Sequence, residues 1–207
     1  MLGTLSNLLL LTSSIVAQVY GNGVATPQSG HQRCAICQME PNADLGAGCP
    51  RITGIVLFSQ NHPSGKLEAS FNLQGFAQSD SQSLRAIHVH QYGVVNGNCS
   101  ATGPHYNPRN VNHPLHPGDF HNFKVKRGSI VKVLSNLRAK LFGAESILGR
   151  GLVLHEGKDD LGRGGNQESL SSGNSGRRLA CCTITLSNCD FWNLMAAARE
   201  ARISTTN

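Results

Sequence analysis

The segment from Ala86 to Asp119 constrains the fold of this chain more than any other stretch. Five of the nine histidines fall within it, and an aspartate ends it. Glycine, proline and asparagine, the residues of turns and loops, interrupt it repeatedly. A single histidine is usually an ordinary surface or core residue, but this density of imidazoles beside a carboxylate predicts a metal site. Imidazole ligands favour copper and zinc, whereas sites made of carboxylates alone favour magnesium and calcium.

Two of these histidines, His88 and His90, lie two positions apart in a predicted strand, so their side chains project from the same face. A loop rich in glycine, proline and asparagine follows at residues 93–122. A second long polar loop, residues 156–178, follows a strand that ends at His155. Loops of this length without secondary structure are uncommon and usually functional. We therefore expect a binding site built on a rigid frame.

The frame itself is predicted to be all-β. The chain has 23 glycines and only 14% charged residues, and its middle shows no long apolar segment at helical spacing. This pattern favours short strands joined by many turns. A short helix is expected in the tail, at residues 191–202. The predicted strands cover residues 51–58, 67–73, 83–92, 123–125, 129–137, 149–155 and 179–187.

The net charge of +6 would suit nucleic acid, another polyanion or a small anionic substrate. The basic residues are scattered, however, and aromatic residues make up only 5% of the chain. We therefore do not expect a nucleic-acid-binding protein. A diffuse positive field that attracts a small anion fits the sequence better.

The first 21 residues predict a secretory signal peptide. An apolar run extends from Leu8 to Ala17, and small residues at Ala17 and Gly21 offer cleavage positions. Because no Lys or Arg precedes the run, a buried N-terminal strand is the alternative. The run is too short to span a bilayer, and no other segment could span one. We expect the chain to have four parts. These are a signal peptide at residues 1–21, a cysteine-containing extension outside the core at 22–50, one domain at 51–188 and a tail at 189–207.

Seven cysteines are many for a chain of 207 residues. Together with a signal peptide they indicate disulfides formed in an oxidising compartment. Their odd number leaves at least one thiol free or bound to another chain. Cys34 and Cys37 form a C-x-x-C sequence, so a redox or zinc motif is the alternative, but the chain has no second such pair.

Four sequence motifs follow one another along the chain: AIHVHQYG at 86–93, GPHYNP at 103–108, VLHEGKDDLG at 153–162 and GNSGRRLAC at 173–181. With these motifs in this order, the chain from about residue 51 to residue 187 resembles the copper/zinc superoxide dismutases. The spacing from His113 to Asp119, the Cys181–Cys182 doublet and the N-terminal cysteines resemble the secreted, extracellular branch. The resemblance implies an eight-stranded Greek-key β-barrel or sandwich with two long functional loops, a metal-binding loop and an electrostatic loop. It also implies an extracellular antioxidant enzyme, an oxidoreductase that converts superoxide to O₂ and H₂O₂.

The metal ligands are also implied by the resemblance. Copper, cycling between Cu(II) and Cu(I), would be held by His88, His90, His105 and His155. Zinc, with a structural role, would be held by His105, His113, His116 and Asp119. His105 would bridge the two metals, leave copper when it is reduced, and carry a proton while remaining on zinc. Three imidazoles with a carboxylate suit tetrahedral, redox-inert zinc, and four imidazoles suit a redox-active copper.

Further roles follow from the same resemblance. Arg178 would guide the superoxide anion to copper, because a guanidinium is always charged and offers a fork of donors. Asp159 would link the rings of His88 and His113. The implied disulfides are Cys99–Cys181 and Cys37–Cys182. The partners of Cys34, Cys49 and Cys189 remain open, and a Cys34–Cys49 bond is only a guess. Alternatively, one of the three cysteines links the subunits of a homo-oligomer, a dimer or a tetramer.

The chain departs from the family at two places. His121 stands where the family usually has Gly; it is not expected to be a ligand, but it calls the local backbone conformation into question. The C-terminus lacks the run of Lys and Arg with which vertebrate extracellular enzymes bind heparan sulfate, so we do not expect strong polyanion binding. Asn98 begins the sequon Asn98-Cys99-Ser100, a candidate glycosylation site.

Two other function classes compete with the enzyme. A copper-delivery or metal-storage protein could use the same fold, since a fold alone does not prove activity. Such a protein could lose a copper ligand or the guiding arginine, yet His155 and Arg178 are both present. A cell-surface binding module would leave the complete set of metal ligands unexplained.

Overall fold

The computed structural model describes residues 32–81 and 83–204, with side chains up to Arg199. This part of the chain contains nine strands and two α-helices. The strands are β1 (Arg33–Pro41), β2 (Thr53–Gln60), β3 (Leu67–Gln74), β4 (Leu84–His90), β5 (Asp119–Lys124), β6 (Ser129–Leu137), β7 (Gly151–His155), β8 (Arg178–Thr183) and β9 (Thr185–Ser187). The helices are α1 (Gln167–Ser172) and α2 (Asp190–Ser204). None of the described helices is long and apolar enough to cross a membrane.

The strands form one antiparallel sheet in the order β5-β4-β7-β8-β1-β2-β3-β6, with β9 pairing β1. The two outer strands, β5 and β6, also come into contact, so the sheet curls into a nearly closed barrel. Neighbours such as β4 and β7 or β3 and β6 are distant in sequence, which is the mark of Greek-key connections. The all-β barrel predicted from the sequence is confirmed.

Apolar and polar residues alternate along the strands, and the apolar side chains fill the interior of the barrel. In β3, Leu67, Ala69, Phe71 and Leu73 are buried, and Glu68 and the other intervening residues are mostly exposed. The inward side chains meet those of other strands, including Phe58, Phe123 and Leu152. Burial of each large apolar side chain contributes about 2 kcal/mol relative to its exposure to water. This core gives the metal-binding residues a rigid support.

The prediction that residues 22–50 lie outside the core is wrong for β1. Residues 33–39 of β1 pair with β2, and its other edge pairs with β8 and β9. Its side chains Ala35, Cys37 and Met39 are buried in the main core. Alternation is present in this segment, but its inward positions include a cysteine, which packs as a small hydrophobic residue. The predicted signal peptide lies outside the described residues.

Other boundaries shift by a few residues. The predicted final strand, residues 179–187, divides at Ile184 into β8 and β9. The strand predicted at 123–125 begins earlier, at Asp119, so the first long loop is shorter than expected. The tail helix forms as predicted and extends over Asp190–Ser204. It covers an outer face of the barrel, where Trp192 is buried beside Leu57 of β2.

Candidate metal centre

Two strands and one loop bring four imidazoles together at one side of the barrel. His88 and His90 lie at the end of β4, and β7, which pairs with β4, ends at His155. His105 lies in the loop after β4, where its backbone forms a bridge with His90. All four side chains are buried, and each offers a nitrogen within 4.8 Å of the others. The Nε2 atoms of His90 and His155 lie 3.2 Å apart.

A second cluster shares His105 with the first and contains three histidines and an aspartate. The Nδ1 atoms of His113 and His116 each lie 3.0 Å from Asp119 Oδ2, and His105 Nδ1 lies 3.2 Å from Asp119 Oδ1. All four residues are buried. Three imidazoles and one carboxylate are a donor set suited to tetrahedral zinc.

His105 is the junction between the two clusters. Its Nδ1 faces Asp119, and its Nε2 faces the imidazoles of the first cluster, with ring centroids 4.3 Å from His88 and 4.8 Å from His90. One planar ring therefore offers one nitrogen to each cluster. This geometry allows a single imidazole to bridge two metal ions.

Unpaired ring nitrogens at the centre of the clusters fit bound metals. His88 Nδ1 and His105 Nε2 are buried and make no hydrogen bond. A buried polar atom without a partner is costly, and a metal ion would satisfy each of these lone pairs. The donor set, rich in imidazole, is the one expected for copper and zinc.

Every histidine of the two clusters except His105 is oriented through its outer nitrogen. Asp159 binds His88 Nε2 at 3.0 Å through Oδ2 and His113 Nε2 at 2.7 Å through Oδ1. Backbone carbonyls serve the other rings: His90 Nδ1 donates to Gly103 O, His155 Nδ1 to Gly176 O and His116 Nε2 to Val111 O. Such contacts fix the orientation of each ring and direct its inward nitrogen towards a metal site.

Asp159 itself is fixed from the opposite side by Asn122 of β5. The Asn122 amide donates to Asp159 O at 2.8 Å, and Asp159 N donates to Asn122 Oδ1 at 2.8 Å. The Leu161 amide donates to Asp159 Oδ1 at 2.7 Å. This carboxylate therefore connects the second long loop with both metal clusters.

Burial and neighbouring charge set the protonation of the ligands. Burial lowers the pKa of His88, His90 and His155, and it lowers that of His105 to about 4, so these rings are neutral near pH 7. Burial also opposes a charge on His113, but hydrogen bonds and attraction from Asp119 and Asp159 raise its pKa to about 9. Although burial raises the pKa of the two aspartates, their histidine partners hold it well below the usual range.

Arg178 begins β8 opposite His155 of β7. Its Nη1 donates to Cys99 O and Thr102 Oγ1, both at 2.9 Å, and its Nη2 donates to Gly103 O at 2.8 Å. Burial lowers its pKa, but a guanidinium stays charged at any physiological pH. The loop that carries His105 thus holds a fixed positive charge near the cluster of four imidazoles.

Three disulfides link six of the seven described cysteines. Cys99–Cys181 ties the metal-binding loop to β8, and Cys37–Cys182 joins β1 to β8. The third bond, Cys34–Cys189, was not predicted, and the guess of Cys34–Cys49 is wrong. Cys34 and Cys37 lie three apart in a strand, so they point to opposite faces. Cys34 faces outward, where its partner strand β9 brings Cys189 within reach.

His121 occupies a bulge in β5. Residues 119–122 of β5 face residues 86–88 of β4, so β5 has one extra residue there. His121 has φ of 63°, the left-handed conformation that favours Gly. Its Nδ1 is buried and lies 3.9 Å from Asp159 Oδ2, although 44% of the side chain is exposed. It belongs to none of the potential metal-binding groups found among the described residues.

Asn98 lies in the turn before the Cys99–Cys181 disulfide and is partly exposed. Its Oδ1 accepts hydrogen bonds from Ser100 N at 2.7 Å and Ala101 N at 3.3 Å. The side chain therefore stabilises the turn that leads into the metal-binding loop.

Comparison with known proteins agrees with this geometry. A family model described as copper/zinc superoxide dismutase (SODC) matches residues 52–184. The extracellular superoxide dismutase (Cu-Zn) of Rattus norvegicus is 51% identical over 168 residues, 81% of this chain and 69% of that protein. The Homo sapiens protein of the same name is 51% identical over 168 residues, 81% of this chain and 70% of that protein. A superoxide dismutase (Cu-Zn) of Talaromyces marneffei is 42% identical over 147 residues, 68% of this chain and 94% of that protein.

Proposed function

Because this chain belongs to the copper/zinc superoxide dismutase family, we propose that it is an extracellular enzyme that converts two superoxide anions and two protons into O₂ and H₂O₂. The observation that carries the proposal is the position of His105, whose single ring joins a cluster of four imidazoles to a cluster of three imidazoles and a carboxylate. Copper held by the four imidazoles would supply the one-electron redox chemistry of this reaction, and zinc held by the second cluster would be redox-inert.

The residues of the chain would bind the metals and hold a proton close to the substrate. His88, His90, His105 and His155 would hold copper, and His105, His113, His116 and Asp119 would hold zinc. His105 Nε2 is the ligand atom placed to hold a proton whenever it is not bound to metal, because Nδ1 stays directed at Asp119. Arg178 attracts the anionic substrate from its fixed position beside the copper ligands.

Superoxide decay measured by stopped flow tests the enzyme proposal. The purified protein is stripped of metal and reloaded with zinc alone or with copper and zinc. We expect only the copper-loaded protein to accelerate the decay, and His155→Ala to abolish the acceleration because one of the four copper ligands is lost. If the fully loaded wild-type protein leaves the decay unchanged, the chain is not a superoxide dismutase.

A copper-delivery protein is the alternative on the same fold. It would release copper to an acceptor faster than it turns over superoxide. The anchored guanidinium of Arg178 favours the enzyme, because a carrier has no need for a positive charge held beside its cargo site. Measuring copper transfer to a chelator in the same samples distinguishes the two.

The extracellular location agrees with the names of the relatives and with three disulfides. We propose that residues 1–21 are a signal peptide and that the mature chain begins near residue 22. N-terminal sequencing of the protein collected from culture medium checks the cleavage site. Intact mass before and after removal of N-glycans shows whether Asn98 carries one.

The oligomeric state is also a proposal. We infer a homo-oligomer, dimer or tetramer, in which Cys49, the one described cysteine without a disulfide, is available to link subunits. Light scattering gives the mass of the assembly, and gel electrophoresis without reductant shows whether Cys49→Ser removes a covalent dimer.

A further inference from the structure

Arg150 makes contacts that none of the roles above requires. It lies in the loop before β7, and its guanidinium carbon is 3.5 Å from the ring centroid of Tyr106. Its Nη1 donates to Gln91 O at 2.8 Å, and its Nε donates to Ser146 O at 3.1 Å. The side chain is half-buried, and Tyr106 is buried. The guanidinium is attracted to the face of the ring, and this attraction strengthens where water is excluded.

Two of the three partners of Arg150 are immediate neighbours of the proposed copper ligands. Gln91 follows His90, and Tyr106 follows His105. Arg150 itself precedes Gly151, which pairs with His90 and begins the strand that ends at His155. One side chain therefore connects the end of β4, the metal-binding loop and the start of β7.

We propose that Arg150 is a positioning residue for the copper site, because it fixes His90 and His105 relative to β7. This inference rests on the proposed function, since it assumes that copper occupies the four-imidazole cluster. Tyr106 N also donates to Val89 O at 2.9 Å, so the backbone beside His105 is held to β4 on one side and to Arg150 on the other. Lysine cannot replace Arg150, because it has neither a planar face for the ring nor a fork of donors.

Paired variants test the role. Arg150→Lys keeps the charge but removes the stack and the fork, and Tyr106→Leu removes the ring. Tyr106→Phe keeps the aromatic face and serves as the conservative variant. Arg33→Lys is the matched control, because Arg33 also stacks on an aromatic ring, Phe142 at 4.1 Å, and donates to a carbonyl, Leu141 O at 2.7 Å.

The measurements are the electron paramagnetic resonance spectrum of bound Cu(II), the rates at which copper and zinc are lost to a chelator, and the thermal midpoint. We expect Arg150→Lys and Tyr106→Leu to change the copper spectrum and to speed copper loss about tenfold. Zinc loss should change less, because His113, His116 and Asp119 do not depend on Arg150. Tyr106→Phe should behave as wild type, and Arg33→Lys should lower the midpoint without changing the spectrum.

An unchanged copper spectrum and copper-loss rate in Arg150→Lys would overturn the proposal, even if its thermal midpoint fell as far as that of Arg33→Lys. These readouts do not depend on turnover. If wild-type protein fails to consume superoxide while Arg150→Lys still alters the copper spectrum, the proposed function fails and the positioning role stands. If wild-type protein is active and Arg150→Lys is indistinguishable from it, only the positioning role fails.

Discussion

At the scale of single residues, His121 adopts a conformation that costs stability. A left-handed φ costs a residue other than Gly on the order of 1–3 kcal/mol, and His121 has φ of 63°. We expect His121→Gly to raise the free energy of unfolding by about 1 kcal/mol, measured by thermal or denaturant unfolding. A fall in stability would instead show that the approach of the imidazole to Asp159 outweighs the backbone strain.

Arg178 and Arg177 allow the guiding charge to be tested with a matched control. Arg177 carries the same charge but pairs with Glu156 at 2.6 Å, and 61% of its side chain is exposed. This enzyme class is an established example of electrostatic steering, in which a field raises the association rate and salt weakens it. We expect Arg178→Ala to lower the rate with superoxide about tenfold and to flatten its salt dependence.

The same change at Arg177 should have a much smaller effect on the rate. Both variants remove one positive charge, so a difference between them measures position and not net charge. Equal losses in Arg177→Ala and Arg178→Ala would contradict the guiding role of Arg178. Rates are compared over a series of ionic strengths with both metals bound.

Zinc binding should release a proton from His113. In the metal-free protein the pKa of His113 is about 9, so its ring is protonated at pH 7, and a metal ligand must be deprotonated. Zinc affinity should therefore rise with pH and level off above about pH 9, with about one proton released per zinc near pH 7. Calorimetry in buffers of different ionisation enthalpy counts the protons.

Asp159→Asn is the control for this proton. Asp159 is one of the two carboxylates that raise the pKa of His113, so its neutral replacement should lower that pKa and reduce the number of protons released at pH 7. An unchanged proton count in Asp159→Asn would show that the released proton does not come from His113.

The residues of the site differ in how far the sequence could predict them. His88 and His90 fall in one short motif, so their alternation along a strand already placed them on one face. Arg150 was not singled out, because its partners Gln91 and Tyr106 are distant in sequence and nothing local distinguishes a stacked arginine from a solvated one. The left-handed φ of His121 was suspected from the family pattern, yet its approach to Asp159 depends on tertiary structure.

At the scale of elements, α2 is attached to the barrel by a disulfide and by packing. Cys34–Cys189 joins β1 to the residue before the helix, and Trp192 is buried against β2. Cys37–Cys182 already closes the long loop, so the third bond closes a further loop of about ten residues, worth about 3 kcal/mol in the chain-entropy model. We expect the double variant Cys34→Ser, Cys189→Ser to lose about that much stability.

The expected loss should be local to α2. Hydrogen exchange of the double variant should increase in residues 190–199, while superoxide turnover and metal content stay at wild-type values because the metal centre lies elsewhere. Trp192 fluorescence reports the same loosening. Faster exchange throughout the barrel would instead mean that β1 needs this bond to remain in the sheet.

The wrong prediction for β1 has a physical cause. Cysteine-rich stretches bounded by Gly, Pro and Asn are common in extensions, and the segment is flanked by such residues. The alternation of Ala35, Cys37 and Met39 is present, but these are small or unbranched side chains with little strand preference. Burial of β1 is decided by its two neighbours in the sheet, which local sequence cannot show.

At the scale of the whole molecule, the metal centre joins two distant parts of the chain. Residues 88–119 and residues 155–178 meet at the clusters, and Asp159 links them directly. Removal of both metals leaves several buried nitrogens unsatisfied. We expect hydrogen exchange in the metal-free protein to increase in both long loops, residues 93–118 and 156–177, with little change in β2 and β3, whose core lies away from the metals.

Restoring zinc alone should recover most of the protection in both loops, since zinc held by His113 would secure the contact of this ring with Asp159. Protection that returns in one loop only would contradict the role of Asp159 as the connection. The same experiment with Asp159→Asn should leave residues 156–177 exchanging quickly even with zinc bound.

The sheet order has a consequence for synthesis of the protein. β1, among the first segments to leave the ribosome, lies between β2 and the last strands, β8 and β9. One edge of β1 therefore stays unpaired until β8 and β9 have been synthesised. Until then this open edge exposes the incomplete barrel to aggregation by strand pairing.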